Sequence, residues 1–409
     1  MGRRIVTIAV VVPAVVLLGA CDSSLQPLDK NNLLVELDGG TPDVIQVYDD
    51  SDDTRQLPYQ CEADTECEDH DPCTRAACTR KRCAYTVRPV QFTPIYIDTG
   101  DPAVDVSIYG DYLLVAMGEG GVELYDISDP TDPDQRGTAP TEGAALAVEA
   151  AAGGMIVSEG EIGIEGINIP ALEQQAFRAP DSGVVRGLDE IYSVDLGARY
   201  GFISGFSDGF LILDFADLFS PQLVTGFNTT GRVHRVTSDY DIAVVADALG
   251  GAVIYAFDLE DGIDRVSTVL TEGRVVDADL KGDSLLIAEY GEGFSLVDVA
   301  DMNAPRRLFD LPTATPAVAA RLMGPQTAIM GEENGRLTAY DISLNVRNEK
   351  KDDEGVFYPI ATPTAPTVLD TINLQGDLLG IDVERDLIAV ALGEAGAALL
   401  TTGCAEPEE

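Results

Sequence analysis

From about residue 91 the chain alternates short apolar runs with turns rich in Gly and Asp, and that alternation is itself periodic. One unit reads apolar-x-apolar, turn, apolar run, Gly-rich turn, apolar run, Asp. The first copy is VDVSIYGDYLLVAMGEGGVELYDIS, Val104 to Ser128. Later copies run through LAV and MIVSEGEIGIEGINI, YSV and GFISGFSDGFLILDF, HRV and IAVVADALGGAVIYAF, VDA and LLIAEYGEGFSLVDV, VAA and TAIMGEENGRLTAYDI, and IDVERDLIAVALGEAGAALLT. Their turn glycines, Gly121, Gly163, Gly209, Gly251, Gly293, Gly335 and Gly396, are separated by 42, 46, 42, 42, 42 and 61 residues. Each period holds three β-branched-rich runs, then a fourth such as LVTGFN or RLFDLP, with no helical period between them, which predicts four short antiparallel strands per unit.

A lone twisted four-stranded sheet leaves both faces apolar, so neighbouring units must cover one another, and radial closure removes the exposed ends. The expected fold is therefore all-β: a seven-bladed β-propeller, or one of six or eight blades if a unit is miscounted. The chain enters at QFTPIYIDTGDP, which matches the fourth strand of a blade, while the last unit stops after its third strand near Thr401. An N-terminal strand should complete the last blade.

The units YGDYLLVAMGEGGVELYDISDP and KGDSLLIAEYGEGFSLVDVADMNAP resemble LVIVD repeats, which form β-propellers in bacterial and archaeal surface proteins. The resemblance spans roughly residues 91–402; copy two lacks the terminal Asp, and copy seven lacks that Asp and the Pro-rich turn. It implies a fold and no catalytic motif, so no catalytic residue carries over.

At the N-terminus, Arg3 and Arg4 precede an apolar run from Ile5 to Leu18 that ends in small residues, the pattern of a secretory signal peptide. The run is short of the roughly 20 residues that span a bilayer. Leu18-Gly19-Ala20-Cys21 resembles the lipobox of bacterial lipoproteins, which implies cleavage before Cys21 and acylation of its sulfur. The expected organisation is a leader over residues 1–20, a flexible acidic tether over 21–60, a Cys-rich module over 61–88, the propeller over 89–404 and an acidic tail over 405–409.

Cys61, Cys67, Cys73, Cys78 and Cys83 fall within 23 residues, a density that in an exported chain means a disulfide-stapled module and not a zinc site. The DPCT run and the Cys residues after it resemble short Cys-rich repeats of extracellular myxobacterial proteins and Dictyostelium matrix proteins. With Cys21 lipidated, Cys404 makes the count even, and three disulfides are expected. Propeller closure brings Cys404 near the residues before Gln91, so Cys83 is its expected partner, with Cys78 next.

Charge narrows the function. With 70 acidic against 26 basic side chains the chain carries −44, which argues against nucleic acid and against electrostatic adhesion to anionic membranes. Two His and no Trp leave little for acid/base chemistry, so an enzyme, a propeller hydrolase included, is disfavoured. Residues that recur in most blades serve the blade: Asp126, Asp214, Asp298 and Asp341 close the third strand and should accept hydrogen bonds from the following turn. GFSDG, residues 205–209, spells G-x-S-x-G but occupies a hairpin position, where no nucleophile elbow forms.

Departures from the repeat are the candidate sites. On the innermost strands Asp105, Ala147, Ser193, Arg235, Asp277, Ala319 and Asp382 align at one level, taking the last unit to have a turn two residues shorter. The plain reading is a hydrated channel with partly compensating charges. The sharper one is a small polar or cationic ligand, or Ca²⁺, held by Asp105, Asp277 and Asp382, with Arg235 and His234 opposite. An insertion of about 19 residues before the last unit carries Lys350, Lys351, Phe357 and Tyr358 and is the expected partner contact. Together these read as a non-enzymatic, lipid-anchored protein of the bacterial envelope, periplasmic or at the cell surface, that binds a protein partner. No cofactor is expected. A calcium-dependent or glycan-binding module is the alternative.

Overall fold

In the computed structural model, seven four-stranded antiparallel sheets follow one another along residues 93–401. Backbone is described for residues 61–67, 71–79, 82–151, 154–169, 184–186, 191–197, 200–205, 209–239, 242–258, 262–351, 357–363 and 365–403, and for three short strands before residue 61. Blade 1 runs Asp105–Tyr109, Tyr112–Ala116, Val122–Asp126 and Asp134–Ala139, from the innermost strand outward. Blades 2 to 6 begin at Ala147, Ile191, Arg235, Arg274 and Ala317. Blade 7 takes Gly380–Glu384, Leu387–Ala391 and Ala397–Thr401 from the end of the chain and Thr93–Ile97 from its beginning. The expected blade count and closure both hold: Ala397 pairs with Ile97 and Thr401 with Thr93.

All seven turn glycines of the repeat have positive φ, from 79° to 128°. A side chain at Gly121 is excluded twice over, since φ is 80° and an added Cβ would lie 2.2 Å from the Ala139 carbonyl of the outer strand. That close approach ties the second hairpin of a blade to its fourth strand. The third-strand aspartates act as expected: Asp126, Asp214, Asp298 and Asp341 each accept the backbone N–H two residues on, at 2.8–3.1 Å.

The core lies between blades. Leu114 and Leu124 of blade 1 pack on Val148 and Met155 of blade 2, and Leu286 and Leu296 of blade 5 pack on Ala320 and Met330 of blade 6. Each sheet is thus buried on both faces by its neighbours, which is why the strands read as continuous apolar runs.

The Cys-rich module is a 3₁₀ turn, Asp64–Cys67, followed by a hairpin of Thr74–Thr79 and Arg82–Val87. Cys61 is bonded to Cys78 and Cys67 to Cys83, so both residues expected to pair with Cys404 are taken. The reason is local: Cys78 and Cys83 sit opposite each other in the hairpin, and the 3₁₀ turn presents Cys61 and Cys67 to them. The sulfurs of Cys61, Cys67 and Cys83 lie within 4.8 Å of one another, but as disulfides they are not thiolate ligands for a metal. Cys73 is also disulfide-bonded, and Cys404 lies outside the described residues. Two disulfides in so short a segment fit an oxidising compartment.

The insertion is a β-hairpin and not an open loop: Leu344–Lys351 pairs with Phe357–Pro363, between the third and fourth strands of blade 6. Lys350 stands opposite Tyr358 and Lys351 opposite Phe357. Residues 1–60 form a separate unit in which Val6–Ala9, Val44–Asp49 and Leu33–Glu36 make a three-stranded antiparallel sheet. Cys21 and His70 lie outside the described residues. Among the described residues no helix is long and apolar enough to cross a membrane.

Candidate functional site

The innermost strand of every blade is an edge strand, and its side chains alternate between the channel and the sheet beneath. Register defines successive rings. Asp105 pairs with Ala116, Ala147 with Ser158, Ser193 with Ser204, Arg235 with Ala246, Asp277 with Ala288, Ala319 with Gly331 and Gly380 with Ala391. Gly380, not Asp382, therefore completes the first ring, and a Cβ on Gly380 would meet Asp105 Oδ1 at 2.8 Å. The expected level of Asp382 is wrong because the turn after the innermost strand is not shortened: Asp105 to Ala116 and Gly380 to Ala391 span the same number of residues.

Asp382 belongs to the next ring, with Ser107, Glu149, Asp195, Thr237, Asp279 and Arg321. Of these, Glu149, Asp195, Asp279 and Arg321 were missed in the sequence. Strand alternation held the signal, since each lies two residues beyond a first-ring position and so shares its face.

Most of the acidic groups are committed to the next blade. Val148 N–H donates to Asp105 Oδ2 at 3.1 Å, Ala320 N–H to Asp277 Oδ2 at 3.0 Å and Leu322 N–H to Asp279 Oδ2 at 2.7 Å. At the closing seam Ile108 N–H donates to Asp382 Oδ2 at 2.7 Å and Gly110 N–H to Glu384 Oε2 at 2.9 Å. Each carboxylate satisfies an N–H that the inner edge of a sheet would otherwise leave unpaired. The Ser238 hydroxyl donates to Asp195 in the same blade-to-blade sense.

Asp277 carries the densest cluster. Arg321 Nη1 lies 2.7 Å from its Oδ2, and Arg235 Nε lies 3.4 Å from Oδ1. Burial favours loss of the Arg321 proton, but Asp277, Asp279 and Asp382 outweigh it and hold the guanidinium charged more firmly than usual. His234 does not line the cavity described below; burial, with Arg274 and Arg232 nearby, pushes its imidazole toward the neutral form.

A cavity of about 180 Å³ opens in the channel, lined by Glu149, Asp195, Arg235, Asp279, Lys281, Arg321 and Asp382 among others. Burial pushes the carboxyls of Asp105, Glu149 and Asp279 upward, and Asp195 up to about 6. For Glu149 the neighbouring Asp382 and Asp195 add to the rise; for Asp195 the Ser238 hydroxyl and Arg235 oppose it.

These shifts set a pH dependence. A carboxyl raised in the fold binds more protons folded than unfolded, so stability falls as pH rises from about 4 to about 6 through the Asp195 range. The thermal midpoint, measured in high salt to screen the net charge, is expected to be higher near pH 5.5 than near pH 7.5, and Asp195→Asn to narrow the gap. A variant with the full wild-type gap would remove Asp195 as its source.

A second set of acids stands at the end of the second strands. Glu159, Asp247, Glu289 and Glu332 are buried and bind the loop that enters their own blade: Gly143 N–H donates to Glu159 at 2.8 Å and Gly231 N–H to Asp247 at 3.0 Å. Their recurrence marks them as structural.

Among sequence families, the LVIVD repeat matches residues 100–141, which is blade 1 with its flanking turns. Among curated proteins no sequence matches. Among solved structures, the computationally designed Ika8 protein is similar at 9% identity with a TM-score of 0.52, over 73% of this chain and 83% of that one, which bears on the fold alone. The chain is accordingly a seven-bladed β-propeller whose first blade is similar to the LVIVD repeat.

Proposed function

We propose that this protein is a non-enzymatic lipoprotein of the bacterial envelope, anchored through Cys21, whose propeller is a rigid scaffold for a protein partner. The observation that carries this reading is the fate of the channel acids: Asp105, Asp277, Asp279, Asp382 and Glu384 accept backbone N–H groups of the next blade, so their recurring role is to build the ring. Display surfaces then do the work. The hairpin bearing Lys350, Lys351, Phe357 and Tyr358 supports the partner reading, because blade 6 pairs its third strand with Thr367–Asn373 and does not need the hairpin to be complete.

The test is cross-linking mass spectrometry on cells expressing the tagged full chain, with and without a calcium chelator. A recurrent protein cross-linked at Lys350 or Lys351, unaffected by the chelator, is the expected result, together with acyl labelling that is lost in Cys21→Ser. Cross-links that vanish with the chelator, or none, would replace the scaffold by a calcium-dependent or glycan-binding module.

A further inference from the structure

The channel cavity is lined by a carboxyl and guanidinium groups that do not touch one another. Among the described residues Glu149, in the second ring of blade 2, makes no hydrogen bond or ion pair, and neither does either Nη of Arg235, whose described contact is Nε on Asp277. Burial, Asp382 and Asp195 push the Glu149 carboxyl upward, and Arg235 is close enough to oppose that rise, yet no N–O distance of 4.0 Å or less joins the two. Arg321 lines the same cavity, is 6% exposed, and leaves its Nη2 without a partner while Nη1 is held by Asp277. A buried donor left unpaired and a desolvated carboxyl left without a partner both cost stability unless a third group meets them. The volume is below the roughly 300 Å³ at which drug-sized pockets begin, so that group has few non-hydrogen atoms.

We propose that the channel cavity is a binding site for a small zwitterion of the α-amino-acid class, its carboxylate taken by Arg235 and the Arg321 edge and its ammonium by Glu149. In such a molecule the two charges are one carbon apart, which suits a carboxylate and a guanidinium that attract across a gap. A simple anion would leave Glu149 unpaired, and a metal cation would leave both guanidinium groups unpaired and repelled. The proposal does not depend on the scaffold reading; either can fail alone.

The experiment is calorimetric titration of the full chain with glycine and the common L-amino acids, and with acetate, methylammonium and Ca²⁺ as partial mimics. At least one amino acid is expected to bind, with acetate and methylammonium each weaker by about tenfold or more, since each leaves one charge of the site unmet. Glu149→Gln removes a carboxyl with no partner among the described residues and is expected to melt no lower than the wild type while weakening binding by about tenfold or more. Arg235→Gln serves as the second variant. Absence of heat from every amino acid at millimolar concentration would overturn the proposal. So would Ca²⁺ binding alone, or amino-acid binding that both variants leave unchanged.

Discussion

Asp277→Ala is expected to destabilise the propeller by about 3–5 kcal/mol, the cost of leaving a buried charge without its partner. Asp277 is 3% exposed and accepts Ala320 N–H of blade 6, the Arg321 guanidinium and, at longer range, Arg235. Removing it strands Arg321 in the channel wall and frees an edge N–H at the blade 5–6 seam. Asp277→Asn keeps an oxygen for Ala320 N–H and loses only the charge, so its loss should be smaller. Asp382→Ala is the comparison: it frees Ile108 N–H but breaks no ion pair, and should cost less than Asp277→Ala. Denaturant unfolding followed by circular dichroism measures all three. An Asp277→Ala loss below about 1 kcal/mol, the level of a surface ion pair, would show that Arg321 finds another partner.

Cys73→Ala should be the other severe change. Cys73 is disulfide-bonded and fully buried, among Val90, Phe92 and Leu400 at the seam where the chain's beginning and end meet. Its sulfur lies 3.6 Å from the Thr402 hydroxyl, and Gln91 N–H donates to the Thr402 carbonyl at 2.8 Å. With Cys61–Cys78 and Cys67–Cys83 formed, the remaining cysteines are Cys21 and Cys404. A bond from Cys73 to Cys404, two residues past Thr402, is the expected one. It would close a loop of more than 300 residues, for which the chain-entropy estimate reaches about 5 kcal/mol. Peptide mapping without reduction should yield a fragment joining Cys73 to Cys404, and Cys73→Ala should unfold at markedly lower denaturant. A Cys73–Cys21 fragment would contradict this pairing, and an unchanged midpoint would leave the bond without influence on stability.

The repeat, the blade count and the closing strand were legible in the sequence, because each blade depends on local chemistry written into the repeat. Positive-φ turns require Gly at a fixed offset, strand ends require an Asp two residues before a free N–H, and apolar runs report burial on both faces. The channel was legible only in part. Asp105, Arg235 and Asp277 were placed at one level, but Asp382 was set one ring too high, because an assumed deletion in one turn shifts a strand by two residues and keeps its face, so alternation cannot detect the error. Cysteine counting announced a stapled module, but the pairing needed the hairpin that sets Cys78 against Cys83.

By itself, then, the sequence determined what depends on neighbours along the chain: strands, turns, period and the number of blades. Only the tertiary structure decided what depends on neighbours one blade away. There a carboxylate accepts an N–H some 43 residues on in Asp105, Asp277 and Asp279, or 274 residues back in Asp382, while among the described residues Glu149 has no such partner in the channel. Composition is the same for an acid that latches two sheets and one that faces a cavity; the difference is whether closure of the ring brings a donor within hydrogen-bond reach.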